Sequence, residues 1–488
     1  MTDGNGDHPA TVSPAKLRDR LVAHVSGTSQ VRDARILAAL REVPRHLFLP
    51  EVPAELAYRD DAIVTRRGPD GQPTSSSSQP MIMAIMLDQL GLAPGQRVLE
   101  IGAGTGYNAA LMKYIVGPTG SVITVDLDSD VARQAAAHLA AAGYPDVTVL
   151  TADGAEGYPA GAPYDRIIAT VGVSDLAPAW LAQLGPAGRI VVPLDLGGSQ
   201  RSVAFERADA GLGAGTPGVW VSRSVVPCGF MRMRGSLAGP EQTRITGEHR
   251  ELALTLPDAR PVDLTALARA LDGPVTELTT RVLAGPGQLF DGLGLWLALH
   301  EPRWGVLSET GEPRAAALAR APARIQDQRV TAGIFEADSL AVLARPADDR
   351  PPRPADKPGH GRRGARAPIP PFELSVLGYG PDAATLAAEL AARLETWDAA
   401  GRPGTGNIRI LAYPRAAGPG LAGPDPGSLA PDEAVISRPH TTFVVFPLDL
   451  SYPWSPWTPP PISSKSSRST MPGPISSLPT SGRCPATA

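Results

Sequence analysis

The sequence predicts a doubly wound α/β domain that follows a short helical region and precedes an α+β extension. Strand-like segments alternate with helical ones between residues 98 and 194, which is the pattern of a parallel sheet covered by helices. The first of these strands runs directly into three glycines, Gly102, Gly104 and Gly106, and a helix follows them. A strand, a glycine turn and a helix form the first unit of a nucleotide-binding sheet, whose ligand lies at the carboxyl end of the strand.

The region before this unit is predicted to be helical. One helix begins at Pro14, and a second ends before Pro44, because a proline disfavours helical geometry in the residue that precedes it. A serine-rich loop, residues 73–80, then leads into an apolar helix. Hydroxyl groups and free amides at a helix start bind anions; alternatively, the loop only caps that helix through Ser78 or Gln79.

The spacing of the glycines narrows the choice of ligand. A dinucleotide-binding turn has the pattern Gly-x-Gly-x-x-Gly, whereas this chain has Gly102-x-Gly104-x-Gly106, which is one residue tighter, and Glu100 lies in the strand before it. Glycine at these positions lets the backbone take positive φ and approach a ligand closely. The alternative is a glycine-rich turn of the kind found in any α/β protein.

Two carboxylates are predicted to reach the same edge of the sheet. Asp126 ends the second strand, twenty residues beyond the last glycine, where an acid accepts hydrogen bonds from ribose hydroxyls in this fold. Asp128 and Asp130 compete for that role, although their positions suit the cap of the next helix. Asp153, followed by Gly154, ends the third strand and either binds an adenine amino group or caps a turn.

The chain beyond the parallel strands is predicted to hold an antiparallel strand pair and then an extension. Residues 227–235 combine Met, Phe and Arg, including Arg232 and Arg234, and form either a turn that faces the core or a substrate lip. We divide the chain into a helical region with the serine loop (1–80), a sheet domain (81–235), an extension (236–345), a disordered linker (346–371), a small α+β region (372–450) and a disordered tail (451–488).

The composition excludes several classes of protein. With 488 residues, of which 43% are hydrophobic, the chain is long enough for two or three domains. A net charge of −4 argues against nucleic-acid binding through an overall positive field, and no apolar run of roughly 18 residues predicts a membrane span. Two cysteines and an N-terminus unlike a signal peptide predict a cytoplasmic location. The eight histidines show no metal-binding spacing, so we expect no metal.

Several motifs resemble the protein-L-isoaspartate O-methyltransferase family over roughly residues 14–235. They are Val43-Pro-Arg-His-Leu-Phe-Leu-Pro50, Ser78-Gln-Pro80, Glu100-Ile-Gly-Ala-Gly-Thr-Gly106, Ala152-Asp-Gly154 and Tyr164-Asp-Arg-Ile-Ile168. The family carries Gly-Gln-Thr-Ile before its loop serine, where this chain has Thr74-Ser-Ser-Ser. The segment after Cys228 and the long extension are similar to variants associated with ribosomally made modified peptides.

The resemblance implies a carboxyl O-methyltransferase with the Rossmann-like sheet of class I enzymes that depend on S-adenosylmethionine. It implies that Ser78 hydrogen-bonds the substrate carboxylate, while Ser77, Gln79 and Arg232 help to bind the substrate. The cofactor residues that it implies are Glu100, Gly102, Gly104, Gly106, Asp126, Asp153 and Gly154. A carboxylate is already anionic at neutral pH, so the enzyme must align the reacting atoms and exclude water, and we expect no catalytic histidine.

Three classes of function remain open at this point. A carboxyl methyltransferase would act on isoaspartate in a protein or peptide, whose ester closes to a succinimide, or on an aspartate in a cyclised ribosomal peptide. A small-molecule methyltransferase would need a general base near the methyl group, and the sequence places no obvious His or Tyr there. A non-catalytic scaffold that binds the cofactor or carries a peptide is disfavoured, because the glycine turn, Asp126 and Ser78 occur together.

Overall fold

The structure is a computed structural model that describes residues 12–29, 31–69, 71, 73–208, 218–246, 252–310, 316–325, 328–347, 370–415 and 433–447. The predicted tail and most of the predicted linker lie outside these residues. The described strands form a two-stranded, an eight-stranded and a ten-stranded sheet. None of the described helices is long and apolar enough to span a membrane.

The N-terminal part consists of short helices and one hairpin. Its elements are α1 (Pro14–Thr28), α2 (Ala34–Glu42), a 3-10 turn (Arg45–Phe48), α3 (Ala54–Ala57), β1 (Ile63–Arg67), β2 (Pro73–Ser77) and α4 (Pro80–Leu90). Both predicted helices before Pro44 are confirmed, and the Asp33 side chain accepts the Arg35 N–H at the start of α2. The first five residues of the predicted serine-rich loop instead form strand β2, paired antiparallel with β1, and residues 78 and 79 remain a loop. Cross-strand hydrogen bonds thereby satisfy the backbone of residues whose side chains alone predict a loop.

The predicted parallel strands form one half of the ten-stranded sheet, with the strand Thr148–Thr151 at its edge. These are β3 (Arg97–Ile101), β4 (Ser121–Asp126), β5 (Thr148–Thr151), β6 (Tyr164–Ala169) and β7 (Leu184–Asp195), connected by α5 (Tyr107–Val116), α6 (Ser129–Ala141) and α7 (Pro178–Gln183). The order β5-β4-β3-β6-β7 reverses direction at β3, so the fold is the predicted doubly wound α/β sheet. In such sheets the ligand crevice lies outside the carboxyl ends of the strands at this reversal.

Antiparallel strands continue the sheet beyond β7. β8 (Gln200–Arg207) and β9 (Trp220–Pro227) pair with each other, as the sequence predicted. Apolar clusters cover both faces of the sheet. One cluster contains Phe48 and Tyr107 with the N-terminal helices, and the other contains Trp180 and Phe205. Because both faces are buried, the carboxyl end of the parallel strands is left as the accessible edge.

The extension is organised around the eight-stranded sheet, whose pairings are all antiparallel. Its strands are β10 (Gln242–Thr246), β11 (Leu252–Leu256), β12 (Thr276–Ala284), β13 (Trp304–Thr310), β14 (Ala323–Ile325), β15 (Gln328–Glu336), β16 (Ser339–Ala344) and β17 (Phe372–Tyr379). Its helices are α8 (Leu264–Leu271), α9 (Pro286–Gln288), a π-helical turn (Leu289–Leu293), α10 (Gly294–His300), α11 (Ala316–Ala319) and α12 (Ala383–Ala399).

The last strands return to the ten-stranded sheet. They are β18 (Ile408–Pro414), β19 (Ala434–Ser437) and β20 (Thr441–Pro447), and β18 pairs with β9 through Leu411 opposite Val221. The strands of the predicted region 372–450 are therefore divided between two sheets. β17 belongs to the eight-stranded sheet of the extension, whereas β18 to β20 belong to the ten-stranded sheet. Periodicity in the sequence locates strands but does not identify the strands with which they pair. For this reason the sequence alone predicted one region for β17 to β20.

Candidate active site

A cavity of about 350 Å³ opens at the carboxyl ends of β3 and β4, where the strand order reverses. Separate parts of the chain form its wall, namely residues 74–79, 100–105, 125–127, Gly154, 170–171 and 227–234. The volume lies in the range of pockets that bind small ligands and cofactors. The serine-rich stretch and the glycine turn, which are distant in the sequence, therefore face one space.

The glycine turn brings the backbone close to its neighbours and to the cavity. Gly102 has φ of +98°, and a Cβ there would lie 2.8 Å from Thr170 Oγ1. Gly104 has φ of +52°, and a Cβ there would lie 3.2 Å from the Ser76 carbonyl oxygen. Both positions therefore need glycine for conformation and for space, and both lie in the cavity wall.

Gly106, the last glycine of the turn, is closely packed against α6. It does not belong to the cavity wall, and a Cβ there would lie 3.1 Å from the Ala135 carbonyl oxygen and 3.1 Å from Leu139 Cγ of α6. Its φ of +86° turns the chain into α5. Gly106 therefore has a packing role between two helices, and its contact with the cofactor stays a prediction.

Asp126 is the acid that reaches the cavity at the end of β4. Its Oδ2 accepts the Gly104 N–H at 3.2 Å, and its Oδ1 accepts the Asp128 N–H at 3.1 Å. Asp128 instead caps α6 by accepting the N–H groups of Asp130 and Val131. Asp126 therefore lies in the wall and Asp128 holds the helix start, as predicted for Asp128, while the ribose contact of Asp126 stays a prediction.

Asp153 caps a turn, which is one of the two roles that its position allowed. Its Oδ1 accepts the Ala155 N–H and its Oδ2 accepts the Ser236 N–H, both at 3.0 Å. Partial burial raises the pKa of Asp153, but these backbone donors outweigh it and leave the pKa below its ordinary value. Asp153 does not line the cavity, whereas Gly154 does, and the contact of Asp153 with an adenine amino group stays a prediction.

Glu100 supports the glycine turn from inside the sheet. Only 1% of Glu100 is exposed, and its two carboxylate oxygens accept Asn108 Nδ2 at 2.8 Å and Thr124 Oγ1 at 2.7 Å. Burial raises the pKa of Glu100 to about 7, against the lowering effect of these two donors. Its carboxylate is therefore committed to neighbouring side chains, although Glu100 also lies in the cavity wall.

The serine-rich stretch forms the wall opposite the glycine turn. Ser77 is 2% exposed, and its buried hydroxyl has no hydrogen-bond partner among the described residues. Ser78 is half-buried and lies in the wall. Gln79 also lies in the wall, but its amide donates to the Asp60 carbonyl and carboxylate at 3.1 and 2.9 Å. Asp60 further accepts the Met81 N–H, so Asp60 caps α4 instead of the predicted Ser78 or Gln79.

Arg45 does not line the cavity but supports its wall, a role that sequence reasoning missed. Its side chain is fully buried, donates from Nε to the Ala57 carbonyl at 2.8 Å and from Nη2 to the Ser78 carbonyl at 3.0 Å, and lies over the Tyr107 ring. It therefore fixes the backbone at Ser78. The sequence signal for this role was an arginine within the largely apolar segment 43–49. A cation buried among apolar residues needs hydrogen-bond acceptors, which indicates a structural role.

The segment 227–234 forms a further part of the cavity wall. Met233 donates its N–H to the Gly172 carbonyl at 2.8 Å, and Gly172 donates to the Met231 carbonyl at 2.7 Å. Arg232 pairs with Asp195 at 2.9 Å and with Glu241, so its charge is used to hold the segment. Burial raises the pKa of the Cys228 thiol to about 12. Among the residues that the structure describes, no group of three or more His, Cys, Asp and Glu is arranged to hold a metal.

Comparisons with known proteins identify the family. A family model described as protein-L-isoaspartate(D-aspartate) O-methyltransferase matches residues 16–217. A protein-L-isoaspartate O-methyltransferase from Methanopyrus kandleri is 41% identical over 180 residues, which cover 37% of this chain and 77% of the relative. The chain belongs to the protein-L-isoaspartate O-methyltransferase family. A second relative, protein-L-isoaspartate O-methyltransferase 1 of Rhodopseudomonas palustris, is 42% identical over 212 residues, 42% of this chain and 83% of the relative.

Solved structures with the same family name are also similar to this chain. One protein-L-isoaspartate O-methyltransferase is 22% identical with a TM-score of 0.43, over 81% of this chain and 96% of that one. A putative member from Plasmodium falciparum, in complex with S-adenosyl-L-homocysteine, is 15% identical with a TM-score of 0.38, over 46% of this chain and 99% of that one.

Membership of the family makes the chain an O-methyltransferase that depends on S-adenosylmethionine. The cavity fits such a cofactor, because the wall at Gly102 and Gly104 has no room for side chains and leaves the backbone next to the cavity. The match of the family model ends at residue 217, before the wall segment 227–234. One wall of the cavity thus comes from the part of the chain that the family model does not match.

Proposed function

We propose that the enzyme methylates the free carboxylate of an isoaspartyl residue in a protein or peptide, and that the resulting ester closes to a succinimide. The observation that carries this proposal is the shared cavity, in which Ser77 and Ser78 face the same space as the glycine turn and Asp126. The serine hydroxyls beside the glycine turn can donate hydrogen bonds to the substrate carboxylate, and this reaction needs no general base. A carboxylate needs orientation more than activation.

The cofactor side of this proposal rests on backbone and one carboxylate. Gly102, Gly104 and Gly154 present main-chain atoms to the cavity, and the Asp126 side chain is held in place by the Gly104 N–H. We assign Asp126 to the ribose hydroxyls, as acids at this strand end accept such bonds. Glu100, also in the wall, supports it by accepting hydrogen bonds from Asn108 and Thr124.

The substrate side rests on the serine hydroxyls. We assign Ser78 as the donor that orients the substrate carboxylate, because Arg45 fixes its backbone through the Ser78 carbonyl. The Ser77 hydroxyl is buried in the wall without a partner among the described residues, so it is available as a second donor. The Gln79 amide donates to Asp60 and so holds the serine-rich stretch in place. The serines, and not Gln79, are therefore assigned the hydrogen bonds to the substrate carboxylate.

The bond changes need no proton transfer by the enzyme. When bound, S-adenosylmethionine supplies a sulfonium methyl group, and the carboxylate oxygen gains that methyl while sulfur keeps the electron pair of the broken bond. The methyl ester has a better leaving group than the carboxylate. The following backbone nitrogen then attacks the ester carbonyl and expels methanol, and hydrolysis of the succinimide gives aspartate or isoaspartate away from the enzyme.

The proposal is tested by offering methyl-labelled S-adenosylmethionine with three peptides of related sequence. They contain an isoaspartyl residue, a linear aspartyl residue, or an aspartyl residue constrained in a ring. We expect label on the isoaspartyl peptide and a later product that has lost the elements of water from the starting peptide. Label on the ring-constrained peptide alone would replace repair of isoaspartate by tailoring of a cyclised peptide. No label on any peptide would contradict carboxyl methylation of peptides.

A further inference from the structure

We propose that Arg234 selects peptides that carry a second carboxylate near the one that is methylated. This inference rests on the proposed function, since it concerns the peptide that the same cavity receives. It makes Arg234 a specificity-determining residue and not a member of the reacting group.

The proposal begins with two arginines that lie two positions apart in the same wall segment. Arg232 is neutralised, because its guanidinium pairs with Asp195 and Glu241, whose side chains are only 2% and 4% exposed. Arg234 also lies in the wall and is exposed, but it has no hydrogen-bond or ion-pair partner among the described residues. Arg232 therefore stabilises the wall, whereas the charge of Arg234 is available to a ligand in the cavity.

The backbone holds Arg234 in place from both sides. Before it, the Met233 N–H donates to the Gly172 carbonyl at 2.8 Å. After it, the Ser236 N–H donates to Asp153 Oδ2 at 3.0 Å, and a Cβ on Gly235 would lie 2.9 Å from that oxygen. Gly235 has φ of +90°, so both its conformation and its surroundings require glycine. A guanidinium on a fixed backbone loses less freedom when it binds a ligand.

The other charged groups of the described wall already have partners. Glu100 is bonded to Asn108 and Thr124, and Asp126 accepts two backbone N–H groups. Neither of these two carboxylates therefore forms an ion pair with Arg234. A guanidinium presents parallel N–H donors that match a carboxylate, which identifies the complementary group on the peptide as an anion.

The test compares two isoaspartyl peptides that differ by Glu or Gln at a residue next to the isoaspartate. We expect the wild-type enzyme to favour the Glu peptide by about fivefold in kcat/KM, the size of an exposed ion pair. Arg234→Gln should reduce this ratio to about one, Arg234→Lys should keep most of it, and Arg234→Glu should reverse it. Arg20→Gln is the matched control, because Arg20 is exposed on α1 and lies outside the wall.

A further comparison identifies which carboxylate of the peptide Arg234 binds. A Gln peptide with a free or an amidated C-terminus shows whether a terminal carboxylate serves as well as a side chain. An unchanged Glu preference in Arg234→Gln would overturn the inference, as would a loss of S-adenosylmethionine affinity in that variant, which would place Arg234 against the cofactor. Equal labelling of both peptides by the wild type overturns this inference alone, whereas no labelling of either peptide overturns the proposed function.

Discussion

The two sides of the cavity are built in different ways. The cofactor side is local: a strand, a glycine turn and the end of the next strand present Gly102, Gly104 and Asp126. The peptide side is assembled from distant segments, in which Arg45 holds the carbonyl of Ser78. If the proposed assignment is correct, backbone geometry controls cofactor binding, while buried side-chain contacts control the position of the peptide.

The largest effect is expected on the cofactor side. Gly102→Ala would strain a residue with φ of +98° and place Cβ 2.8 Å from Thr170 Oγ1. Because the turn must move to relieve both, we expect S-adenosylmethionine to bind roughly a hundredfold more weakly by calorimetry. Gly143→Ala is the matched control, since Gly143 has φ of +88° but nothing within 4 Å of its Cβ position. Equal cofactor affinity in Gly102→Ala and the wild type would contradict a close approach at this turn.

The next effect tests the peptide side. Ser78→Ala removes the proposed donor to the substrate carboxylate, and misorientation of a reacting group lowers turnover by roughly a hundredfold. We expect kcat on an isoaspartyl peptide to fall by about that factor, and Ser77→Ala to cause a smaller decrease. Ser121→Ala, on the exposed start of β4, is the control. Turnover that stays at the wild-type level in Ser78→Ala would remove this residue from its proposed role.

A third prediction concerns stability instead of binding. The pKa of Glu100 rises from its ordinary 4.5 to about 7, so the folded protein holds this proton more tightly than the unfolded chain. Its contribution is complete below about pH 4.5 and is lost as pH rises through about 7, which amounts to about 3 kcal/mol. In denaturant unfolding, Glu100→Gln should flatten the pH dependence across this window, whereas Glu55→Gln, which alters an exposed side chain, should leave it unchanged. Equal pH dependence in Glu100→Gln and the wild type would refute the shift.

The smallest effect tests the contact between the β1–β2 hairpin and the cofactor side. Arg66 Nη1 donates to both carboxylate oxygens of Asp128 at 2.8 Å, but the side chains are 41% and 21% exposed. Exposed pairs stabilise weakly and are screened by salt, so Arg66→Gln should raise the peptide KM by less than about fivefold. High salt should reduce the difference from the wild type. Arg133→Gln, which removes a charge from α6, is the control, and a larger effect from that variant would argue against the hairpin contact.

Local features of the fold could be predicted from the sequence. The starts of α1 and α2, the strands β3 to β9 and the turn at Gly102 and Gly104 follow from capping, periodicity and glycine spacing, which act within a few residues. Strand β2 could not be predicted, because its serines favour a loop and its pairing with β1 supplies the missing stabilisation. The division of residues 372–450 between two sheets depends on pairing across long separations, for which one sequence carries no signal.

The candidate site shows the same limit. Ser78 and Asp126, both singled out from the sequence, lie in the cavity wall, and their roles stay predictions. The sequence could not show that Gly106 packs against α6 or that Asp153 accepts the Ser236 N–H. Nor could it separate the roles of Arg232 and Arg234. That distinction depends on Asp195 and Glu241, which approach Arg232 only when the chain is folded.

The most direct test of the division between the two sides is a calorimetric titration of S-adenosylmethionine into the wild type, Ser78→Ala and Asp126→Ala. We expect Ser78→Ala to bind the cofactor with wild-type affinity. Asp126→Ala should bind it at least about tenfold more weakly, since Asp126 is assigned to the ribose hydroxyls and charged acceptors contribute strongly. An equal loss of affinity in both variants would show that the two sides are not separate. Unchanged affinity in Asp126→Ala would remove Asp126 from the cofactor site.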